Sequence, residues 1–475
     1  MRPLPVVKRV LGLVLAAAFF GCLASVSSPG SAQMTSSLTS QGALKAATDV
    51  YIYGYSLITM ELTRRSFTNV ATASPTNAPM GQFANMQSYP AVDDHRVTAP
   101  NADTLYSTAW LDVTKEPFVL SIPDMHGRYF LMPMLDGFTN VFQVPGKRTT
   151  GAGAQKYLIS GPGWDGTVPA GVTHYKSPTG LVWILGRIYC TGTPQDYAAV
   201  HAEQAKLSLV PLSAYGKPYS PPAGLVNPSF NQKSGVRDQV EALSTAQYFS
   251  LLGELLKTNP PEMPQDAAIV AEMKALGLTP GLTWDMSKLA SSVQAALNVA
   301  KPDAVKRIKA FATQGVEIVN GWGILKKTGL YGDDYLDRAF VTAVGLGANR
   351  PQDAIYPFTQ ASFIGSKTYV IRFNKGATPP VKGFWSITMY DPAYFFVKNA
   401  LNKQSISPRQ HFAQNADGSI SLYFSNRQPA GVPASNWLPA PPGKFLLMMR
   451  NYWPNPTPPS LLDGTWKPPA AQEKN

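Results

Sequence analysis

The chain has 475 residues, only 15% of them charged, with 42 prolines, two cysteines and a net charge of +12 at pH 7. Low charge with abundant proline points to many turns and strand ends, with few long solvated helices. The basic surplus never clusters beyond pairs such as Arg64-Arg65 and Lys326-Lys327, which argues against a nucleic-acid partner.

In chain order, Arg2, Lys8 and Arg9 stand ahead of the apolar run Val10 to Phe20. That is the pattern of a secretory signal, and the run is about half the ~20 residues a membrane span needs. No later run is long enough to span. The expectation is a signal peptide over 1–32, cleaved after Gly30-Ser31-Ala32, and a periplasmic or secreted product. Lipidation at Cys22 is the lesser alternative, because Phe19 and Phe20 are bulky for a lipoprotein box. After cleavage Cys190 is the only cysteine, so no intrachain disulfide is expected.

Leu44 to Arg65 reads as a helix with Leu44, Ala47, Tyr51, Gly54, Ile58 and Leu62 on one stripe. Residues 66–99 read as a loop. Short runs then follow, Tyr106–Leu111, Phe118–Ile122, Arg128–Met134, Lys156–Ile159 and Leu181–Tyr189, each bounded by Pro, Gly or Asp, which predicts antiparallel strands. Residues 196–327 read as helical, with Val240, Leu243, Leu251 and Leu255 on one face and Val305, Ile308, Phe311, Ile318 and Trp322 on another. Strands are predicted again at Lys367–Phe373, Gly383–Tyr390, Ser419–Phe424 and Lys444–Tyr452.

The two strand-rich regions repeat one order of features. Gly127-Arg128-Tyr129-Phe130 precedes Asp136, as Gly383-Phe384-Trp385-Ser386 precedes Asp391. Tyr157–Gly161 parallels Leu422–Asn426, and Leu185-Gly186-Arg187-Ile188-Tyr189 parallels Met448-Met449-Arg450-Asn451-Tyr452. The expectation is an α+β chain of two related antiparallel β-sandwich units with a helical segment inserted between them and an N-terminal helix. The domains are placed at 40–195, 196–330 and 340–468.

Familiar cofactor and nucleophile motifs do not survive their context. Gly161 to Gly166 satisfies G-x-G-x-x-G, but Val168-Pro169 follows where a helix must open. No G-x-S-x-G elbow occurs. The five histidines never pair at ligand spacing, and the one ligand-like cluster, Asp93-Asp94-His95, sits in a polar loop, so neither a metal nor a cofactor is expected.

Polar side chains concentrate in the first strand region. Asp103, Tyr106, Asp136 and Arg148 are the candidate catalytic groups: a carboxylate as general acid or base, a phenol as proton donor, a guanidinium for a developing oxyanion. Asn101, Arg128, Asn140, Tyr390, Asp391 and Trp437 are the candidate substrate-binding groups. The alternative use of the cluster is an ion-pair lattice that ties loops to the sandwich.

Asn101-Ala102-Asp103-Thr104-Leu105-Tyr106, Gly127-Arg128-Tyr129, Leu135-Asp136-Gly137-Phe138 and Gly146-Lys147-Arg148 resemble domain of unknown function 1254. Gly383-Phe384-Trp385-Ser386, Tyr390-Asp391, Asp417-Gly418-Ser419 and Asn436-Trp437-Leu438-Pro439 resemble its companion, domain of unknown function 1214. The resemblance implies two sandwich parts combined with helical parts, in proteins that are often exported, and it carries no catalytic residue across. Three functional readings remain. The first is a cofactor-free acid/base hydrolase or lyase acting on a small or oligomeric substrate. The second is a protein that binds a carbohydrate or small ligand, and the third is a structural envelope component.

Overall fold

A computed structural model of the chain describes residues 40–94, 99–399 and 401–474. The signal-like run, Cys22, both processing sites and His95 lie outside them. Among the described residues no helix is long and apolar enough to cross a membrane.

The first helix, α1 (Ser40–Thr68), is longer than its stripe predicts and buried on nearly every side. Ala43, Val50, Tyr51, Tyr53, Leu57 and Ile58 are all inaccessible. A helix apolar all round belongs inside a core, and α3 (Val236–Ala242), α4 (Thr245–Leu255), α5 (Ala267–Ala275), α6 (Ser291–Ala310) and α7 (Tyr335–Gly345) surround it. Gly54 permits the closest approach: a Cβ there would stand 2.7 Å from Leu252 Cδ2 of α4. The remaining helix, α2 (Pro194–Gln204), starts at Thr193, whose side chain accepts from the Asp196 N–H.

The first β unit holds β1 (Ala84–Asn85), β2 (Thr104–Asp112), β3 (Phe118–Ile122), β4 (Phe130–Leu131), β5 (Met134–Leu135), β6 (Val141–Gln143), β7 (Gln155–Ser160), β8 (Thr173–Lys176), β9 (Leu181–Tyr189) and β10 (Ser208–Pro211). Its inner sheet has the order β1-β2-β9-β5-β6, with β4 also on β9, and its outer sheet β10-β3-β7-β8. The second unit holds β11 (Glu317–Val319), β12 (Trp322–Ile324), β13 (Ala354–Ile355), β14 (Phe358–Thr359), β15 (Phe363–Ile364), β16 (Thr368–Phe373), β17 (Val381–Tyr390), β18 (Ser405–Ile406), β19 (Ile420–Ser425), β20 (Trp437–Pro439), β21 (Lys444–Pro454) and β22 (Gln472–Lys474). Its inner sheet runs β11-β12-β14-β21-β17-β18, with β13 and β15 on β21, and its outer sheet β20-β19-β16-β22.

These orders are one topology used twice. Strand β9 corresponds to β21, β5 to β17, β6 to β18, β3 to β16 and β7 to β19. Each outer sheet even repeats a parallel pair, β7 with β8 and β19 with β20, in otherwise antiparallel sheets. The fold is therefore α+β, two related sandwiches with helices between them.

The register shows one slip in the sequence comparison. Phe130 pairs with Ile188 and Trp385 with Asn451, so Gly383 corresponds to Arg128 rather than to Gly127, while Asp136 and Asp391 do correspond. Two other expectations fail. Residues 196–327 are not helical throughout: β10 and a long irregular stretch precede α3, and Ile318 and Trp322 lie on a hairpin, not on α6. Asn320 (φ 52°) and Gly321 (φ 81°) form that hairpin's two-residue turn, the Asn-Gly pair that suits a strand twist.

Strands β9 and β21 are buried on both faces, for one reason. Val182, Ile184 and Ile188 point into the first sandwich, and Phe445, Leu447 and Met449 into the second. The alternate residues, Trp183, Leu185 and Arg187 with Arg450 and Tyr452, face a seam where the two inner sheets meet.

Candidate functional site

The seam is built from positions that correspond in the two units. Asp103 stands just before β2 and Asp353 just before β13, and their carbonyls accept from Cys190 N (2.9 Å) and Trp453 N (2.8 Å), the residues just after Tyr189 and Tyr452. Each carboxylate is then claimed by an arginine of the opposite unit. Arg409 reaches Asp103 Oδ1 at 2.8 Å, and Arg148 reaches Asp353 Oδ1 at 2.7 Å. The exchange is reciprocal, as in the interface of a two-fold dimer.

It is not symmetric in its details. Ser386 donates to Asp103 Oδ2 at 2.6 Å, but the residue corresponding to Ser386 is Leu131, and Asp353 Oδ2 has no partner among the described residues. Burial therefore pushes the Asp353 carboxyl up, against the pull of Arg148 and Arg350.

Arg187 and Arg450 occupy corresponding places beside this exchange. Arg187 donates to Asn349 Oδ1 and Gly347 O, both at 2.8 Å, in the second unit. Arg450 donates to Ala99 O (2.8 Å) in the first unit and to Tyr390 Oη (2.6 Å). Tyr106 lies opposite Arg187 in the ladder, with that guanidinium 5.2 Å from its ring centroid. Burial alone would raise the Tyr106 phenol; the charges of Arg187 and Arg450 outweigh it and pull it below its ordinary value. Tyr390, whose hydroxyl donates to Pro100 O, is instead pushed up to about 12 by burial.

Five of the sequence candidates thus gather in the seam: Asn101, Asp103, Tyr106, Arg148 and Tyr390. Asn101 links two of the chains of contact, donating to Thr104 Oγ1 (2.9 Å) and Tyr452 Oη (3.1 Å). The others belong to separate networks. Asp136 accepts from the N–H groups of Phe138 and Asn140 at 2.8 Å and from Asn140 Nδ2 at 3.0 Å, and Asp391 does the same for Ala393 and Phe395 at 2.9 Å. Both close a turn that carries a residue at positive φ, Thr139 (71°) and Tyr394 (64°). Burial pushes Asp136 up to about 6 despite these donors. Arg128 holds Tyr189 O and Asp196, and Trp437 donates to Ser425 O within the outer sheet.

A groove of about 280 Å³ opens at the edge of the seam, lined by Tyr189, Phe384 and Trp385, with Pro379, Val381, Ser407, Pro408 and Arg409. Its presence follows from another asymmetry. Trp453, turned to φ 54°, lays its ring near Tyr129 (centroids 6.5 Å apart), which corresponds to Phe384. The residue corresponding to Trp453 is Cys190, which points into the first sandwich core, so the face of Phe384 stays open. Gly383 is needed beside it, because a Cβ would stand 2.6 Å from Tyr452 O. Sequence reasoning missed Phe384 and Arg409 as site residues. It noted Arg187 and Arg450 only as marks of the repeat.

Residues 80–211 match the family described as Protein of unknown function (DUF1254), and residues 358–456 that described as Protein of unknown function (DUF1214). The chain carries one domain of each family. The DUF1254 match covers Asp103, Tyr106, Arg148 and Arg187; the DUF1214 match covers Phe384, Ser386, Arg409 and Arg450. The seam is thus where the DUF1254 and DUF1214 parts meet. Among solved structures, the VPA0106 protein from Vibrio parahaemolyticus is similar at 23% identity and a TM-score of 0.67, over 91% of this chain and 100% of its own. That likeness is one of fold. An uncharacterised protein from Burkholderia cenocepacia aligns over 92% of this chain and 95% of its own at 13% identity, with a TM-score of 0.44. No curated protein matches the chain.

Proposed function

We propose that this chain is an exported binding protein that takes a small planar or apolar ligand into the groove between its two sandwiches. The observation behind this reading is the open face of Phe384, flanked by Tyr189, Trp385, Pro379 and Val381, at the edge of the reciprocal seam. A cavity of about 280 Å³ is at the small end of ligand sites, which run to roughly 300–1,000 Å³. A single-ring ligand suits it better than an oligomer. The carboxylates considered for acid/base work are committed elsewhere, Asp103 to Arg409 and Ser386, Asp136 to its turn.

Trp385 borders the groove, so intrinsic fluorescence is the readout. Benzoate, benzyl alcohol and monosaccharides are titrated into the wild type, Phe384→Ala and Tyr189→Ala. The reading expects saturable quenching by at least one ring compound, weakened by ~10-fold or more in either variant through lost aromatic contact. Equal response in all three proteins would remove the groove from consideration.

An acid/base reading has one observation in its favour, the lowered phenol of Tyr106 beside Arg187. Turnover of an ester or glycoside by the wild type and not by Tyr106→Phe supports it; turnover by neither leaves binding as the function.

A further inference from the structure

Five guanidiniums, those of Arg148, Arg187, Arg350, Arg409 and Arg450, surround the carboxylates of Asp103 and Asp353 in the seam. Arg148 and Arg409 take Asp353 and Asp103, which leaves Arg187 and Arg450 without an acid of their own. Both are buried, 5% and 4% exposed, and neither is ion-paired among the described residues. A buried cation with no anion costs several kcal/mol unless something balances it. Carbonyl oxygens of Gly347, Ala99 and Pro100 satisfy part of each fork without supplying charge. Nε of Arg187 has no hydrogen-bond partner among the described residues. Tyr106, the neighbour of Arg187 across the ladder, is partly exposed, and the guanidinium stands 5.2 Å from its ring centroid.

We propose that Arg187 and Arg450 form a binding site for a small oxyanion, a carboxylate or a phosphate, entered past Tyr106. Arg187 would meet the anion with its unused Nε–H, and the Tyr106 hydroxyl would donate a second bond at the entrance. A planar fork that still has a free donor is suited to such an oxygen pair. The site is distinct from the aromatic groove, although Phe384 stacks on Tyr452 (centroids 4.4 Å apart) between the two.

The test titrates sodium acetate, and separately inorganic phosphate, into the full chain at constant ionic strength, followed by calorimetry and melting temperature. Saturable binding of either anion is expected, weakened by about 10-fold or more in Arg187→Lys and by ~5-fold or more in Tyr106→Phe. Tyr106→Phe keeps the ring under the guanidinium, so it decides the matter if Arg187→Lys does not fold. Binding of both anions means a shared oxyanion site, and binding of one names its class. No saturable response to either, or equal binding by wild type and both variants, overturns the proposal. Phe384→Ala separates the two sites: it should lose the ring compounds and keep the anion.

Discussion

Asp103 and Asp353 are corresponding residues with different accounts. Asp103 has Arg409 on one oxygen and Ser386 on the other, whereas Asp353 has Arg148 on one and nothing on the other. Removing Arg409 strands a fully satisfied, inaccessible carboxylate, so Arg409→Gln should destabilise by about 3–5 kcal/mol. Arg148→Gln should cost less, because burial already pushes the Asp353 carboxyl up and Arg350 remains near it. Urea unfolding of the two variants at pH 7 measures the difference; equal losses would contradict the asymmetry. Elsewhere, Asp337 in α7 is buried with Oδ2 unpartnered, and burial with the nearby Asp334 pushes it up to about 7. Its folded-state pKa is above the unfolded value of about 3.9, so the folded chain keeps a proton that the unfolded chain releases, and stability drains away as pH rises between those values. Asp337→Asn should therefore leave stability nearly unchanged at pH 4, raise the melting temperature at pH 8, and flatten the profile between. A variant profile parallel to the wild type would refute this.

Elements were legible where one face was apolar and the ends carried turn residues. The strands Phe118–Ile122 and Leu181–Tyr189 are where their runs placed them. Helix α1 was only partly legible, because Tyr, Thr and Gly on its second face look polar in sequence and are packed in the structure. The Ile318–Trp322 hairpin was read as helix because apolar spacing outweighed the Asn320-Gly321 turn signal. In the seam, the repeated Arg-x-Tyr endings of β9 and β21 were visible, but nothing local says that Arg187 and Arg450 face the other unit, since that depends on how two sandwiches dock. Strand β17 is where an element can be broken deliberately. Gly383→Ala would push its Cβ against Tyr452 O, 2.6 Å away, at the irregular register between Val381 and Phe384. A cost of about 1–3 kcal/mol is expected, with loss of ring-compound binding; a variant as stable as the wild type that still quenches would contradict the packing described.

At the scale of the molecule, the seam makes the DUF1254 and DUF1214 parts one object. Each sandwich unit contributes the carboxylate that the other's arginine needs, Asp353 standing just ahead of the DUF1214 match, and α1 runs through a helical core drawn from residues 40–345. The chain should therefore melt in a single calorimetric transition, and Arg409→Gln should lower it without splitting it. Two transitions in the wild type would mean that the sandwiches are energetically independent. The groove exists because the duplication is imperfect: Trp453 lies against Tyr129, while Cys190 puts no ring on the groove side of Phe384, whose other neighbours are Tyr452 and Tyr189. The most direct measurement is a crystal soaked in 4-bromobenzyl alcohol, which carries no charge, and read by the anomalous signal of bromine. The account predicts a bromine peak against Phe384 and Tyr189, lost in Phe384→Ala. An ordered bromine at any other place, or none at saturating concentration, would contradict it.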